Sequence, residues 1–417
     1  MPRFPASLLV LMLLAGAAQA QPADAPVTTA PPVAAPPPAP VVAPPAPVQV
    51  TALAAPDAFT TAARPTGLPP TLWRGTSPEV VRAVLPLLAE KPLSPAAAAL
   101  ARRVLATGAP GPQGLGNDPA MIAGRAGALL AQGDPKGAAA ILVRAPGLAR
   151  NPDLARVAAE SALLAGEDAR ACAIEAALSA GRDDIYWVRL RTYCQAIGGK
   201  TAEAGLTFDL AQSQAKDAVF TRLMGAKLAG GGNPGAASLR NGLDYALSRN
   251  LGLDLSAAKP SPAVAAALSA DGPGEPAIEL AGAPGWLGPI AESIAGGKPI
   301  AQADAMAAIE QAGASPKEKE RAAGALLMLV AYENWPAGAT LLVREGRAPV
   351  LRDIALDAAS IRKHMGETAL LALWNCAEAG PSGLALADRA RIVRALREAG
   401  FERDARAFAL EGLAGLK

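Results

Sequence analysis

The pattern of apolar and polar positions predicts an all-α protein from residue 71 onward. No stretch there shows the sustained alternation that a half-buried strand requires. Ala-rich runs are separated by Gly and Pro, which end and open helices. Two helices are predicted between Ser77 and Leu105. In the second half of the chain, helices are predicted at 263–269, 286–295, 301–313, 317–332, 336–344, 350–364, 367–378, 384–398 and 402–414.

Glycines recur in the first half of this region at an interval of 33 residues: Gly133, Gly166, Gly199 and Gly232. An alanine follows each glycine by five residues, and a small residue precedes each by seven. These flanking positions are Ala138, Ala171, Ala204 and Ala237, and Ala126, Ala159, Thr192 and Gly225. Glycine permits the left-handed stop of a helix, and small flanking residues let paired helices approach closely. The interval therefore predicts successive helical hairpins, and the 34-residue spacing of Gly366 and Gly400 predicts that the motif returns.

This spacing resembles that of the tetratricopeptide repeat (TPR), which carries a small residue, Gly and Ala at these offsets in a period of about 34 residues. The resemblance covers 120–245 and, more weakly, 317–415. The large aromatic anchors of the family are absent, and Arg125 and Arg191 stand where the family places an apolar core residue. The resemblance implies an α-solenoid of antiparallel helix hairpins with a divergent, TPR-like sequence.

The chain divides by composition into five predicted regions. They are a signal peptide at 1–20, a disordered Pro/Ala-rich linker at 21–70, an N-terminal helical repeat array at 71–245, an irregular Gly/Pro-rich segment with short helices at 246–300, and a C-terminal helical repeat array at 301–417.

The first twenty residues predict export to the periplasm. A basic start at Arg3 precedes an apolar stretch, and Ala18-Gln19-Ala20 forms a cleavage signal, with cleavage expected after Ala20. The apolar stretch spans 12 residues, fewer than the roughly 20 that cross a bilayer, so no transmembrane span is expected after cleavage. An uncleaved membrane anchor is the alternative. The 15 prolines of 21–70 favour a polyproline II spacer, or else a tolerated low-complexity tail.

Charge and composition argue against several chemistries. Lys and Arg number 39 against 37 Asp and Glu, so a broad basic surface for nucleic acid is not expected. One histidine, His364, and three cysteines are too few for the usual zinc sites, and a catalytic triad would have to use His364 alone. We therefore expect no metal, no cofactor and no catalytic residues.

Two of the three cysteines form a predicted disulfide. Cys172 and Cys194 lie about nine and twelve residues from a turn near Gly181, on two successive helices. The offset of about three residues is close to 4.5 Å along antiparallel helices, which is within disulfide reach. The alternative is a pair of buried thiols, and Cys376 is left over.

A row of arginines is the candidate binding surface. Arg156, Arg189 and Arg222 each lie ten residues before a repeat glycine, and Tyr186 and Tyr193 are expected to flank Arg189. Guanidinium groups bind carboxylates and phosphates in bidentate fashion. In some TPR domains this position holds the terminal carboxylate of a peptide, and the resemblance implies the same here. The alternative is a solvated helix face neutralised by Asp153, Glu160 and Asp183.

These patterns together predict a non-enzymatic periplasmic scaffold or adaptor for protein–protein interactions in the cell envelope. Its expected partners are envelope proteins or peptides with carboxylate or other anionic groups, including peptidoglycan-associated machinery, and not nucleic acid. One alternative is a degenerate hydrolase that resembles the lytic transglycosylases. The catalytic module of that family carries a Glu-Ser pair, and Glu292-Ser293 resembles this pair in isolation. The other alternative is a purely structural envelope spacer.

Overall fold

The computed structural model describes residues 57–269, 278, 284–335, 346–380 and 383–416. All of them belong to one compact unit, Ala54–Lys417. The predicted signal peptide, most of the predicted linker and the predicted helix at 336–344 lie outside the described residues. Within those residues the protein is all-α, as predicted, with no strand. No described helix combines the length and the apolarity that crossing a membrane requires.

The described helices follow one another in this order: α1 Pro78–Glu90, α2 Pro95–Ala106, α3 Pro119–Ala131, α4 Pro135–Leu142, α5 Pro152–Leu164, α6 Asp168–Ala177, α7 Ile185–Ile197, α8 Thr201–Gln214, α9 Ala218–Leu228, α10 Gly242–Asn250, α11 Pro262–Leu268, α12 Gly288–Gly296, α13 Gln302–Glu310, α14 Pro316–Glu333, α15 Val350–Ile361, α16 Met365–Ala379, α17 Leu386–Ala399 and α18 Glu402–Ala414. Two short 3₁₀ helices, Leu148–Arg150 and Gly285–Leu287, precede α5 and α12.

Many helices begin at a polar capping residue followed by proline. Ser77 and Ser94 precede α1 and α2, and each hydroxyl accepts a backbone N–H from the first turn of its helix. Ser315 and Glu318 form a complete capping box at the start of α14. Proline lacks the N–H that would be unsatisfied at this position, so these sequences define where the helices start.

Three of the four repeat glycines end a helix in the predicted left-handed conformation. Gly133, Gly166 and Gly199 have φ values of 82°, 78° and 76°, and they separate α3 from α4, α5 from α6 and α7 from α8. The small flanking residues of these hairpins are all buried: Ala126 and Ala138, Ala159 and Ala171, and Thr192 and Ala204. The predicted role of small side chains in close helix pairing is therefore confirmed for three hairpins.

The fourth glycine does not open a hairpin, so the prediction of a helix after Gly232 is wrong. Residues 231–241 contain no helix, and α10 begins only at Gly242. Gly230, Gly231, Gly232 and Gly235 all have positive φ, which is incompatible with a continuing right-handed helix. The local run of glycines therefore prevents the helix that the 33-residue spacing predicts.

Of the two later glycines, Gly366 and Gly400, only one ends a helix. Gly400, with φ of 95°, ends α17 as the motif predicts. Gly366 instead lies in the first turn of α16, and the left-handed residue before that helix is Lys363. The Gly366 N–H donates to the carbonyl of Leu72 at 2.9 Å, and a Cβ at Gly366 would lie 2.6 Å from the Thr76 hydroxyl oxygen. Gly366 therefore serves close packing and not a turn.

The largest core joins helices from both halves of the chain. Buried side chains of α1–α5 and α12–α18 form one hydrophobic cluster, while α5–α10 contribute a second one around Trp187 and Phe220. At the junction of α2 and α18, Arg103 forms an ion pair with Asp404. Close by, the Ser94 hydroxyl donates to Glu411 at 2.8 Å. Helices α1 and α2 thus pack against the last helices of the chain.

Arg125, at a position where the TPR pattern has an apolar residue, is fully buried in α3. Its guanidinium donates to four backbone carbonyls, those of Ala58, Thr61, Leu105 and Thr107, at 2.8–3.0 Å. Burial lowers the pKa of Arg125 to about 9. A single buried cation therefore ties the segment before α1 to the end of α2.

Candidate partner-binding cleft

A cleft of about 140 Å³ brings together three of the five residues predicted to bind a partner. It lies between α5, α7, α9 and α10, and we call it the α7 cleft. Its lining residues are Arg156, Asp184, Ile185, Tyr186, Arg189, Asp217, Phe220, Asn241, Leu243 and Asp244. Arg222 and Tyr193 are not among them.

Three helices begin at the α7 cleft. The Asp184 carboxylate accepts the N–H of Tyr186 at 2.9 Å and caps α7, so Tyr186 and Arg189 follow on successive turns. Asp217 caps α9, and Asn241 caps α10 by accepting the N–H of Asp244 at 2.8 Å. Helix N-termini favour negative charge, and at α7 and α9 the Asp184 and Asp217 carboxylates already supply it.

Arg156 is the cation of the α7 cleft best placed to meet a ligand. It is exposed on α5, and its guanidinium lies 4.7 Å from the centroid of the Tyr186 ring. In the described part of the chain no carboxylate lies within ion-pair distance of it. Stacking on the aromatic ring holds the guanidinium without using its N–H donors. Those donors can therefore hydrogen-bond an incoming carboxylate.

Arg189 is already engaged within the protein. Its guanidinium lies 3.4 Å from an oxygen of the Asp217 carboxylate and donates to the Ala215 carbonyl at 3.0 Å. Arg240 donates to both oxygens of the same carboxylate at 3.1 Å. Burial raises the pKa of Asp217, but the Phe220 N–H and Arg240 outweigh this effect and leave the pKa below its ordinary value. Asp217, which sequence reasoning missed, therefore neutralises Arg189.

A buried carboxyl lies behind the cleft on α5. Glu160 accepts the backbone N–H of Gly242, the first residue of α10, at 2.6 Å. Burial raises the pKa of Glu160, although that N–H and the nearby Tyr186 and Arg156 oppose the shift. Burial and the adjacent Glu160 also raise the pKa of the Tyr186 hydroxyl. Glu160 therefore couples the start of α10 to the Arg156 and Tyr186 pair.

The other two predicted residues lie elsewhere. Arg222 donates to the Ala236 carbonyl at 2.8 Å, and its guanidinium packs against Gly235 in the irregular loop before α10. Tyr193 is fully buried, near Asp168 and Arg249, and burial raises the pKa of its hydroxyl. The expected arrangement, with three arginines in file and tyrosines on both sides of Arg189, is reduced to Arg156, Tyr186 and Arg189. The loop that replaces the fourth hairpin accounts for the loss of Arg222.

Cys172 on α6 and Cys194 on α7 lie at disulfide distance, with their Cα atoms 5.5 Å apart. The bridge joins the second repeat hairpin to the third, across the turn at Gly181, whose φ is 65°. Cys376 is buried in α16, and burial raises the pKa of its thiol to about 12. A thiol with this pKa stays protonated at neutral pH.

The residues considered for catalysis do not meet the α7 cleft. Glu292 is exposed on α12, and the adjacent Ser293 hydroxyl donates to the Lys298 carbonyl at 2.5 Å. His364 lies between α15 and α16 with its ring beside Gly75. Within the described ranges, no group of three or more His, Cys, Asp or Glu side chains could hold a metal ion.

Comparisons with protein-family models, with curated proteins and with solved structures find no match in any of the three. The class of protein is therefore given by its fold alone, as an all-α protein that contains helical hairpins.

The capping residues of the α7 cleft had a signal in the sequence. Asp217 precedes Ala-Val-Phe and Asn241 precedes Gly-Leu-Asp, and both are N-cap residue types before an apolar run. The glycine interval alone indicates neither residue.

Proposed function

We propose that the protein is a non-enzymatic scaffold or adaptor of the cell envelope, and that the α7 cleft docks the carboxylate of a partner. In this proposal α3–α8 form a short TPR-like solenoid. The Pro/Ala-rich linker is a spacer between the N-terminus of the chain and this solenoid. The signal peptide delivers the protein to the periplasm. A disulfide between Cys172 and Cys194 fits that compartment, since such bonds persist where the environment is oxidising.

The observation that carries the proposal is the stacking of Arg156 on Tyr186 beside the starts of α7, α9 and α10. The stacked guanidinium favours an anion. The three helix N-termini are already capped by Asp184, Asp217 and Asn241, so Arg156 is the group that supplies the attraction. Asp217 and Asp244 already accept hydrogen bonds from Arg240, while Arg156 is exposed. An incoming carboxylate would therefore meet Arg156 first.

The size of the α7 cleft suggests what part of a partner enters it. About 140 Å³ is well below the range of about 300–1,000 Å³ that is usual for whole small-molecule ligands. A chain-terminal carboxylate with its last side chain needs less space, and Phe220 and Leu243 offer that side chain an apolar contact. We therefore propose that the cleft captures a C-terminal carboxylate, and that the rest of the partner lies along the neighbouring helices.

Arg156→Gln is the variant that tests the proposal. It removes the charge but keeps an exposed, hydrogen-bonding side chain on α5, whereas a change at Arg189 would also break the contacts with Asp217 and Ala215. Arg144→Gln, at an exposed position after α4, is the matched control. Wild-type and variant chains should be cross-linked in periplasmic extract, and the captured proteins identified by mass spectrometry.

A C-terminal peptide of the captured protein then separates the outcomes. The free acid should bind the wild-type chain, and the C-terminal amide should bind at least about tenfold more weakly, as should the acid to Arg156→Gln. Added salt should weaken the binding. Equal affinity of acid and amide would contradict the proposal. Release of muropeptides from sacculi that disappears in Glu292→Gln would instead support the hydrolase alternative.

A further inference from the structure

A second and larger cleft lies on the first two repeat hairpins, between α4 and α6. It has a volume of about 480 Å³. Helices α4 and α6 both pack against α5, and residues of these three helices and of α11 line the cleft. We call it the alanine cleft, because six of its fifteen lining residues are alanine.

These small side chains leave the space open. Ala139 of α4, Ala162 of α5 and Ala266 of α11 are three of them. Helices in a protein interior normally pack densely, and a larger apolar residue at any of these positions would fill part of the cleft. The volume lies within the range of about 300–1,000 Å³ that is usual for ligand sites. The alanine cleft can therefore hold a small molecule.

The inner wall of the alanine cleft is apolar. Among its lining residues, Ser161 is the buried one with a polar side chain. The Ser161 hydroxyl already donates to the Val157 carbonyl of its own helix at 2.8 Å. Leu142, Leu148 and Ile174 complete the wall together with the alanines. An apolar ligand can displace water from such a surface without breaking strong hydrogen bonds to the protein.

The charged residues of the lining are exposed and lie at the mouth of the cleft. Glu167 and Arg170 pair with each other, with an N–O distance of 2.8 Å. Lys136, in the first turn of α4, has no carboxylate within ion-pair distance in the part of the chain that the structure describes. Two cations and one carboxylate leave an excess of one positive charge, and the Lys136 ammonium carries it.

We propose that the alanine cleft binds a linear carboxylic acid of medium chain length, with its alkyl chain against the alanines and its carboxylate at Lys136. A single ammonium group matches a single negative charge. Each methylene that the wall removes from water should tighten binding by up to about fourfold. A peptide fits this wall less well, because its backbone amides would lose their hydrogen bonds to water without finding partners.

This site is separate from the proposed docking of a protein partner. It shares no lining residue with the α7 cleft. Both clefts use α5, but Ala158, Ala162 and Ala165 lie on the opposite side of that helix from Arg156 at 3.6 residues per turn. The two sites can therefore be tested independently.

Isothermal titration calorimetry of the purified chain tests the proposal, with hexanoate, octanoate and decanoate as probes. Decanoate should bind with a Kd below about 1 mM, and each added methylene in the series should lower the Kd about two- to fourfold. Acetate, which has the charge without the chain, should show no binding. Arg156→Gln should leave decanoate binding unchanged, so a failure here is distinct from a failure of the α7 cleft.

The role of Lys136 is tested by comparing an acid with the alcohol of equal chain length. Lys136→Gln should weaken octanoate binding about two- to fivefold, as expected for an exposed ion pair, and leave 1-octanol binding unchanged. Lys216→Gln, at an exposed position after α8, should change neither. Equal effects of Lys136→Gln on the acid and the alcohol would overturn the assignment to carboxylic acids.

Filling the cleft tests its location. Ala139→Phe should weaken decanoate binding at least about tenfold, because the ring would occupy the space of the alkyl chain. Ala140→Phe, half-buried on the same helix but outside the lining, is the matched control and should bind like wild type. If Ala139→Phe does not fold, Ala266→Phe blocks the cleft from α11. No decanoate binding, affinity that does not depend on chain length, or undiminished binding by a folded filling variant would overturn the proposal.

Discussion

The Glu160 carboxyl accepts a hydrogen bond of 2.6 Å from the backbone N–H of Gly242, a residue 82 positions later in the chain. This bond connects α5 to the first turn of α10, where the neighbouring Asn241 and Leu243 line the α7 cleft. Since the pKa of Glu160 is raised, mainly by burial, its ionisation is less favourable in the folded state than in the unfolded state.

Glu160→Gln should therefore change how stability depends on pH. A raised folded-state pKa means that Glu160 contributes most to stability below its unfolded pKa, and that this contribution is lost as pH rises through the folded pKa. Glutamine keeps an acceptor for Gly242 without the charge. We expect the variant to gain in stability relative to wild type as pH rises from about 4 to about 7, measured by urea unfolding. Glu320→Gln, exposed on α14, should show no such trend, and a difference that shrinks as pH rises would contradict the argument.

Two glycines of one hairpin should respond oppositely to alanine. Gly199 has a φ of 76°, whereas Gly205 lies inside α8, and a Cβ at either position would meet no atom within 4 Å. Gly199→Ala should destabilise the protein by about 1–2 kcal/mol, because an L-residue is disfavoured in the left-handed region. Gly205→Ala should stabilise it by about 0.5–1 kcal/mol. Thermal and urea unfolding measure both effects. A Gly199→Ala variant as stable as wild type would show that this turn is not held in the left-handed conformation.

The disulfide should be detectable chemically and thermodynamically. Mass spectrometry of a non-reduced digest should find the Cys172 and Cys194 peptides joined. Reduction should lower the free energy of unfolding by about 3 kcal/mol, because the bridge restricts the unfolded chain. A variant with alanine at both positions should lose this sensitivity to reductant. Unlinked peptides from protein recovered under oxidising conditions would contradict the pairing.

Arg125→Met should be among the most damaging single substitutions. Methionine fills much of the same space, but it leaves the carbonyls of Ala58, Thr61, Leu105 and Thr107 without their donor. We expect a loss of at least about 3 kcal/mol in the free energy of unfolding. Arg144→Met, at an exposed position, should change it by no more than about 0.5 kcal/mol. Equal stability of the two variants would mean that the four hydrogen bonds contribute little.

Local signals in the sequence predicted local structure well. Gly133, Gly166 and Gly199 end helices as expected, because the left-handed stop depends on the backbone of the glycine itself. The pairing of Cys172 with Cys194 followed from helix rise and the position of one turn. The prediction of a helix after Gly232 was wrong because the neighbouring Gly230 and Gly231 favour an irregular loop. The interval of 33 residues carries no information about these neighbours.

The α7 cleft was harder to predict, for a different reason. Arg156 and Arg189 share one position of the repeat, and Tyr186 was expected beside Arg189, so the sequence could place these three residues on one face. Arg222 could not be placed in this way, since its position depends on the loop around Gly235. The ion pair of Arg103 with Asp404, which is 301 residues away, could not be predicted either. The packing of distant helices determines such a contact, and neither short stretch carries a signal for it.

The packing of α1 and α2 against α16 and α18 affects when the chain can fold during synthesis. Val84 and Leu88 of α1 belong to the same core as Phe408 and Leu413 of α18. The apolar face of α1 is therefore fully covered only after α18 has been synthesised. A chain released or cut before α16 would present those faces to other chains, and aggregation would compete with folding. Because this core needs helices from both parts of the described fold, removing the later helices should unfold α1 and α2 as well, unlike a repeat protein that can be shortened one hairpin at a time.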